Sequence, residues 1–70
     1  MGAISPEDEA NLIVTVEAFK FGQAVRYLSD QNRMVERDLK VEDWTKYRDG
    51  LPRHIRGEAV KAYRTGYGEK

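Results

Sequence analysis

The amino-acid sequence predicts an all-α protein in which a long N-terminal helix packs against one or two shorter C-terminal helices. The first observation is that apolar residues within Leu12–Leu28 recur at the spacing of a helix. The second is that turn residues divide the chain at Asn32 and at Asp49–Pro52, which leaves room for shorter helices after the first. The third is that no segment offers a strand with which another could pair. With 70 residues, the chain has material for one domain.

The first predicted helix spans about Pro6 to Gln31. Ser5 can cap its N-terminus, Pro6 suits the first helical position, and Asp8 stands where a capping box carries its acid. Asn32 is a residue type that tolerates the left-handed conformation in which many helices end. These signals predict both ends of the helix.

Two features within this segment weigh against a plain helix. Leu12–Val16 is rich in β-branched residues and is also compatible with a buried strand, but no turn signal separates it from the residues that follow, so we predict a helix. Gly22 costs about 1 kcal/mol relative to alanine inside a helix. A glycine permits close approach of another helix, and we interpret it as favouring tight dimer packing.

The second predicted helix covers Val41–Arg48, with Trp44 and Tyr47 three residues apart on one side. Before it, we expect a polar connection over Asn32–Lys40, part of which has no helix breaker. The apolar anchors of this connection are Met34, Val35 and Leu39.

The third predicted helix runs from Arg53 to Arg64. Its apolar stripe consists of Ile55, Ala59, Ala62 and Tyr63, with Val60 beside it. We expect Gly66 and Gly68 to terminate the helix, and residues 1–5 and 66–70 to be flexible tails of a single domain spanning residues 1–70.

Apolar side chains cover more of the first helix than one buried stripe requires. Placed at about 100° per residue, they leave one consistently polar strip, formed by Asn11, Thr15, Gly22, Arg26 and Ser29. Short chains are marginally stable and are commonly stabilised by disulfides, metals or oligomerisation. The sequence has no cysteine and one histidine, which leaves oligomerisation. We therefore predict a homodimer whose interface comprises Leu12, Val16, Phe19, Phe21 and Leu28.

The charge balance argues against a nucleic-acid partner. Lys and Arg total 12, as do Asp and Glu, whereas a general nucleic-acid binder is normally basic. Bases still exceed acids by seven to three in Lys46–Lys70. The alternative is therefore a small helix-turn-helix-like DNA-binding regulator, although its third helix has only Thr65 among the uncharged polar residues that usually contact base edges. The basic residues of this third helix that could contact DNA are Arg53, Arg56, Lys61 and Arg64.

We expect no enzymatic activity, no cofactor and no metal site. His54 has no nucleophile motif near it, and Glu42 and Asp43 are adjacent, so they diverge by about 100° on a helix. The glycines fit no phosphate-loop spacing. No secretory signal is visible, and no apolar run approaches the roughly 20 residues of a membrane span. We therefore expect a cytoplasmic protein with no membrane partner.

Aromatic and basic residues are interleaved in the second half of the chain. Trp, Tyr and Arg dominate the energetics of protein interfaces, because each combines a large contact area with a polar group. Trp44 and Tyr63 are also expected to pack on the first helix. We predict a partner-binding surface formed by Trp44, Tyr47, Arg48, Arg64 and Tyr67.

The run Glu17–Leu28, together with the later Glu42-Asp43-Trp44, resembles phage quorum-sensing anti-activator proteins. The resemblance covers most of the chain and includes its size and its helical, highly charged character. It implies a homodimer in the bacterial host cytoplasm that binds and blocks a host transcriptional activator, and that also inhibits a pilus-assembly ATPase. It implies no particular site residues.

Overall fold

The computed structural model describes the backbone of residues 6–69 and the side chains of residues 9–69, and this part of the chain forms three helices without a strand. They are α1 (Pro6–Asp30), α2 (Met34–Asp49) and α3 (Arg53–Tyr67). Both α2 and α3 pack against α1, α3 more extensively than α2. The contact between α2 and α3 is the smallest of the three. The predicted all-α class is confirmed, and of the one or two shorter helices predicted after the first, the described residues contain two.

Helix α1 follows the prediction closely. It includes Leu12–Val16, so the strand alternative is wrong, and it ends one residue before the predicted Gln31. Asn32 adopts the left-handed conformation, with φ 58°. The Arg33 N–H donates to the Leu28 carbonyl at 2.9 Å, which closes the helix end as in a Schellman motif. The proposed capping interaction of Ser5 with Asp8 lies outside the described residues.

Helix α2 is longer than predicted. It begins at Met34 rather than Val41, and the N–H of Arg37 already donates to the carbonyl of Arg33 at 2.9 Å. No glycine or proline interrupts residues 34–40, so the helix continues through them, although most of these residues are charged and few are apolar. The three apolar residues expected to anchor a connection here, Met34, Val35 and Leu39, are exposed on α2.

Helix α3 also extends beyond its predicted end. Gly66 and Tyr67, expected in a flexible tail, are helical, and Gly68 ends the helix in the left-handed conformation at φ 92°. The N–H of Glu69 donates to the carbonyl of Arg64 at 3.0 Å. The second of the two predicted stop glycines therefore terminates the helix, and the first lies within it.

The reason for Gly66 is a close crossing of α1 and α3. A Cβ on Gly66 would collide with the Phe19 carbonyl oxygen and lie 3.2 Å from the backbone nitrogen of Gln23. A Cβ on Gly22 would likewise collide with the Tyr63 carbonyl oxygen and lie 2.8 Å from the Tyr67 nitrogen. The interpretation of Gly22 as a dimer contact is thus corrected, because the helix that approaches it is α3 of the same chain.

The core lies between the three helices and consists mostly of small side chains. Alanines and valines from α1 and α3 allow the helices to approach closely, and α2 contributes one large residue. The buried residues are Val14, Ala18, Val25, Trp44, Ile55, Ala59 and Ala62. The predicted stripe of α3 is confirmed, with Tyr63 and Val60 packed at its margin.

Candidate protein-interaction surfaces

Helix α1 has two apolar stripes on opposite sides. One faces the core and includes Val14 and Ala18. The other lies about 180° away at 100° per residue and is exposed. Its members are Leu12 (56% exposed), Ile13 (55%), Val16 (44%), Phe19 (36%) and Tyr27 (58%). We call this exposed set the α1 stripe.

Within the part of the chain that the structure describes, the α1 stripe is uncovered because α2 and α3 both lie on the other side of α1. Val14 and Val25 are nearly inaccessible to solvent, whereas Leu12 and Val16, two residues away from Val14 in either direction, are not. Scattered exposed apolar residues are normal, but a contiguous row is typical of an interaction site.

The five residues predicted for the dimer interface do not share one face. Leu12, Val16 and Phe19 lie in the α1 stripe. Phe21 is half-buried and packs against the core, and Leu28 is half-buried near the end of α1. The structure therefore brings three of the five together.

Phe21 belongs to a cluster of four aromatic rings that joins the helices. Its ring centroid lies 5.8 Å from that of Trp44 and 5.5 Å from that of Tyr47. Trp44 stacks on Tyr63, with centroids 4.5 Å apart and an interplanar angle of 11°. Tilted and offset arrangements of this kind add to the stabilisation that burial supplies. Through this cluster α2 packs against both α1 and α3.

Trp44 is consequently unavailable as a partner contact. Only 4% of its surface is exposed, which corrects its placement in the predicted partner-binding surface. Tyr47 and Tyr67 are half-buried. Tyr67 lies beneath the Arg26 guanidinium, which is 5.6 Å from the ring centroid and also donates to the Tyr67 carbonyl at 3.0 Å.

The two predicted arginine contacts are closer to solvent. Arg48 is half-buried, and its Nε donates to the Asp49 carboxylate at 3.2 Å. Arg64 is exposed, and its Nε lies 3.9 Å from a carboxylate oxygen of Glu69. Exposed ion pairs of this kind contribute little to stability, so both guanidinium groups can exchange their present neighbour for a partner's carboxylate.

A second exposed apolar set was missed as a surface by the sequence interpretation. Val35 (73% exposed), Leu39 (58%) and Met34 (44%) lie on the first half of α2. The spacing of Val35 and Leu39 by four residues could have revealed that they share a helix face, but the segment was interpreted as a connection.

Burial also affects the ionisation of two tyrosines. It raises the pKa of Tyr63 above its ordinary value, with a further increase from Tyr67 and an opposing effect of Arg37. Burial likewise raises the pKa of Tyr47, and the charge of Glu17 adds to the increase. In both residues burial favours the neutral phenol over the phenolate.

The remaining surface shows shallow grooves. One, of about 270 Å³, lies between α1 and α2 and is lined by Glu17, Lys20, Phe21, Ala24 and Lys40. His54 is exposed in the first turn of α3. Among the described residues, no three His, Cys, Asp or Glu side chains are grouped so as to hold a metal ion. None of the helices in residues 6–69 is long and apolar enough to cross a membrane.

The fold and its surfaces define a small three-helix protein with an uncovered apolar stripe. Comparison of the chain with protein-family models, curated proteins and solved structures finds no match. The residues themselves therefore indicate the function.

Proposed function

We propose that this chain is a non-enzymatic protein-binding module that acts as a homodimer and inhibits a bacterial transcriptional activator by occupying a surface that the activator needs. The α1 stripe is the observation that carries the proposal. The resemblance to phage anti-activator proteins supplies the class of target, and the bacterial cytoplasm would be the site of action.

A second copy of the chain is the occupant that we assign to the α1 stripe. Leu12, Val16 and Phe19 are aligned along the helix and exposed, and covering them removes apolar surface from water. An identical partner supplies an identical uncovered stripe, so one two-fold interface satisfies both copies. Dimerisation would also stabilise a domain whose own core is built largely from alanine and valine.

The target protein would contact the aromatic and basic part of the second half of the chain. Arg64 is exposed there, and Tyr47, Arg48 and Tyr67 are partly accessible. Tyr47, Arg48 and Arg64 lie outside the α1 stripe, so a dimer would keep them available. Inhibition would be stoichiometric, since a binding module blocks one target surface per copy.

A test of self-association compares two valines. Val16 lies in the α1 stripe, and Val35 is exposed on α2. We expect Val16→Glu to convert the dimer into a folded monomer, because it places a charge in the interface. Val35→Glu is the matched control and should remain dimeric. Light scattering gives the mass, and circular dichroism verifies that both variants are folded. If the two variants had the same mass in solution, the α1 stripe would not be the dimer interface.

A test of inhibition uses a quorum-sensing activator and its reporter promoter in a bacterial host. We expect co-expression of the chain to suppress the reporter, and Arg64→Glu to relieve that suppression without unfolding the protein. Binding of the purified activator to its promoter DNA should be lost on adding the chain. An unaffected reporter with well-expressed chain would refute this class of target.

DNA binding through α3 is the alternative, favoured by the exposed Arg53, Lys61 and Arg64 on that helix. A DNA-binding regulator would by itself retard duplex DNA in gel electrophoresis. Its affinity would fall steeply with salt, because neutralised phosphates release counterions. We expect the chain alone to leave duplex DNA unshifted at physiological salt.

A further inference from the structure

We propose that the two copies pair with their α1 helices antiparallel, with the two-fold axis passing between Val16 and Phe19. This inference rests on the proposed self-association, and it specifies which residues of the α1 stripe meet in the dimer.

The spacing of the stripe is that of a coiled-coil seam. Leu12, Val16, Phe19 and Gln23 follow one another at intervals of four, three and four residues, which is the alternation of the a and d positions of a heptad. Leu12, Val16 and Phe19 are exposed apolar residues, and Gln23 is an exposed polar residue at the end of the row. The seam is short and has a polar end, so the way in which two copies overlap decides how much apolar surface is covered.

An antiparallel pairing centred between Val16 and Phe19 overlaps the two helices almost completely. Helix α1 extends from Pro6 to Asp30, so its midpoint is residue 18, next to the proposed axis. In this register Val16 of each copy faces Phe19 of the other, and Leu12 faces Gln23. Both central layers are apolar, and each polar Gln23 is placed at the edge of the interface near solvent.

The charges that flank the seam favour the same orientation. The antiparallel register places Glu9 of one copy opposite Arg26 of the other, at both ends of the interface. A parallel pairing would instead place Glu9 of one copy beside Glu9 of the other, and Gln23 beside Gln23. Arg26 is half-exposed, and its bonds to Asp30 and to the Tyr67 carbonyl use Nε and Nη1, so Nη2 could donate to a carboxylate of the second copy. Like charges at matching positions disfavour the parallel form.

The absence of cysteine from the sequence makes the orientation directly testable. In the antiparallel register, a Leu12→Cys, Gln23→Cys double variant places a thiol of one copy opposite a thiol of the other. Within one chain these positions are 11 residues apart on a helix, about 16 Å, which exceeds the roughly 7 Å limit for a disulfide. Any disulfide therefore joins two copies.

We expect mild oxidation to convert the double variant into a covalent dimer, while the single variants Leu12→Cys and Gln23→Cys stay largely uncrosslinked. Efficient crosslinking of Leu12→Cys alone would overturn the proposal in favour of a parallel pair. Absence of crosslinking in a protein that light scattering shows to be dimeric would overturn the register and leave self-association standing. A monomeric wild-type chain would overturn the self-association itself.

The flanking charges provide an independent measurement on folded protein. Glu9→Lys should weaken the dimer about fivefold, as expected if the two symmetry-related pairs contribute about 0.5 kcal/mol each. Adding Arg26→Glu to Glu9→Lys should restore the affinity, because the opposite charges face each other again. Failure of the second substitution to compensate, with the helical content unchanged, would contradict the pairing of these two positions.

Discussion

Replacing a single glycine by alanine should have opposite effects at two helical positions of this chain. At Gly22, in α1, a Cβ would lie 2.8 Å from the Tyr67 nitrogen and closer still to the Tyr63 carbonyl oxygen, whereas ordinary contact begins near 3.4 Å. The two helices must therefore separate by at least about 0.6 Å. At Gly57, in α3, a Cβ would meet nothing within 4 Å.

The magnitudes follow from these distances. Overpacking costs about 1–3 kcal/mol or more, and the atoms that obstruct Gly22→Ala belong to backbone, which cannot rotate away. The cost should therefore lie at the upper end of this range, and after subtracting about 1 kcal/mol gained from helix propensity we expect Gly22→Ala to destabilise the fold by about 2 kcal/mol. Gly57→Ala should stabilise it by about 0.5–1 kcal/mol.

Thermal unfolding followed by circular dichroism, at one fixed protein concentration, measures both effects. Since about 1 kcal/mol shifts Tm by about 4–8 °C in a domain of this size, Gly22→Ala should lower Tm by about 10 °C or more. Gly57→Ala should raise it by several degrees. A Gly22→Ala protein as stable as the Gly57→Ala protein would refute the close crossing of α1 and α3.

Three further predictions concern the core, the α2–α3 turn and alkaline pH. Trp44→Ala should cost about 3–5 kcal/mol in urea unfolding, because it removes the centre of the aromatic cluster; a loss below 1 kcal/mol would contradict its burial. Arg56→Ala should cost about 1.5–3 kcal/mol, because Nη2 donates to the Leu51 carbonyl at 2.9 Å and to that of Asp49 at 3.4 Å; the exposed Arg53→Ala is its control, with an expected change below about 0.5 kcal/mol. Because the pKa of Tyr63 is raised in the folded state, the stability it contributes is present below about pH 10 and is lost as pH rises through the folded pKa. Tyr63→Phe should therefore reduce the fall in stability above about pH 10, and an unchanged alkaline profile would contradict the burial of this phenol.

The sequence predicted the existence of the helices better than their ends. The apolar period identified α1 and α3, and Asn32 and Gly68 end helices as their residue types suggest. The first half of α2 is mostly charged, and its single apolar pair at helical spacing, Val35 and Leu39, was interpreted as part of a connection. Gly66 is a stop signal in sequence, but its tertiary contact with Phe19 requires a residue without a side chain inside the helix.

The polar strip of α1 shows why the buried side could not be identified from hydrophobicity alone. Gly22 is buried and Asn11 and Ser29 are half-buried, so part of this strip packs along α3. Small residues permit the backbones of the two helices to approach. The Ser29 hydroxyl can be half-buried because it donates a hydrogen bond to the carbonyl of Val25 at 2.8 Å. This face of α1 packs against α3 because its residues are small, although they are polar. The surplus of apolar residues was visible in the sequence, whereas the choice of stripe required the structure.

The predicted partner-binding surface was only partly accessible to sequence reasoning, because an aromatic residue at helical spacing fits a core and an interface equally well. Trp44 and Tyr63 stack on each other, which no local pattern indicates, since their proximity depends on how α2 and α3 lie against α1. The exposure of Arg64 agrees with its charged type, and its role in target binding stays a prediction.

The mass of the unmodified chain in solution, measured by light scattering across concentrations from about 1 to 100 µM, decides whether two copies pair through the α1 stripe. The uncovered α1 stripe predicts a particle of twice the 8.1 kDa chain mass, with dissociation at the lowest concentrations if the affinity is micromolar. A folded 8.1 kDa monomer over the whole range would contradict the claim that this protein functions as an assembly.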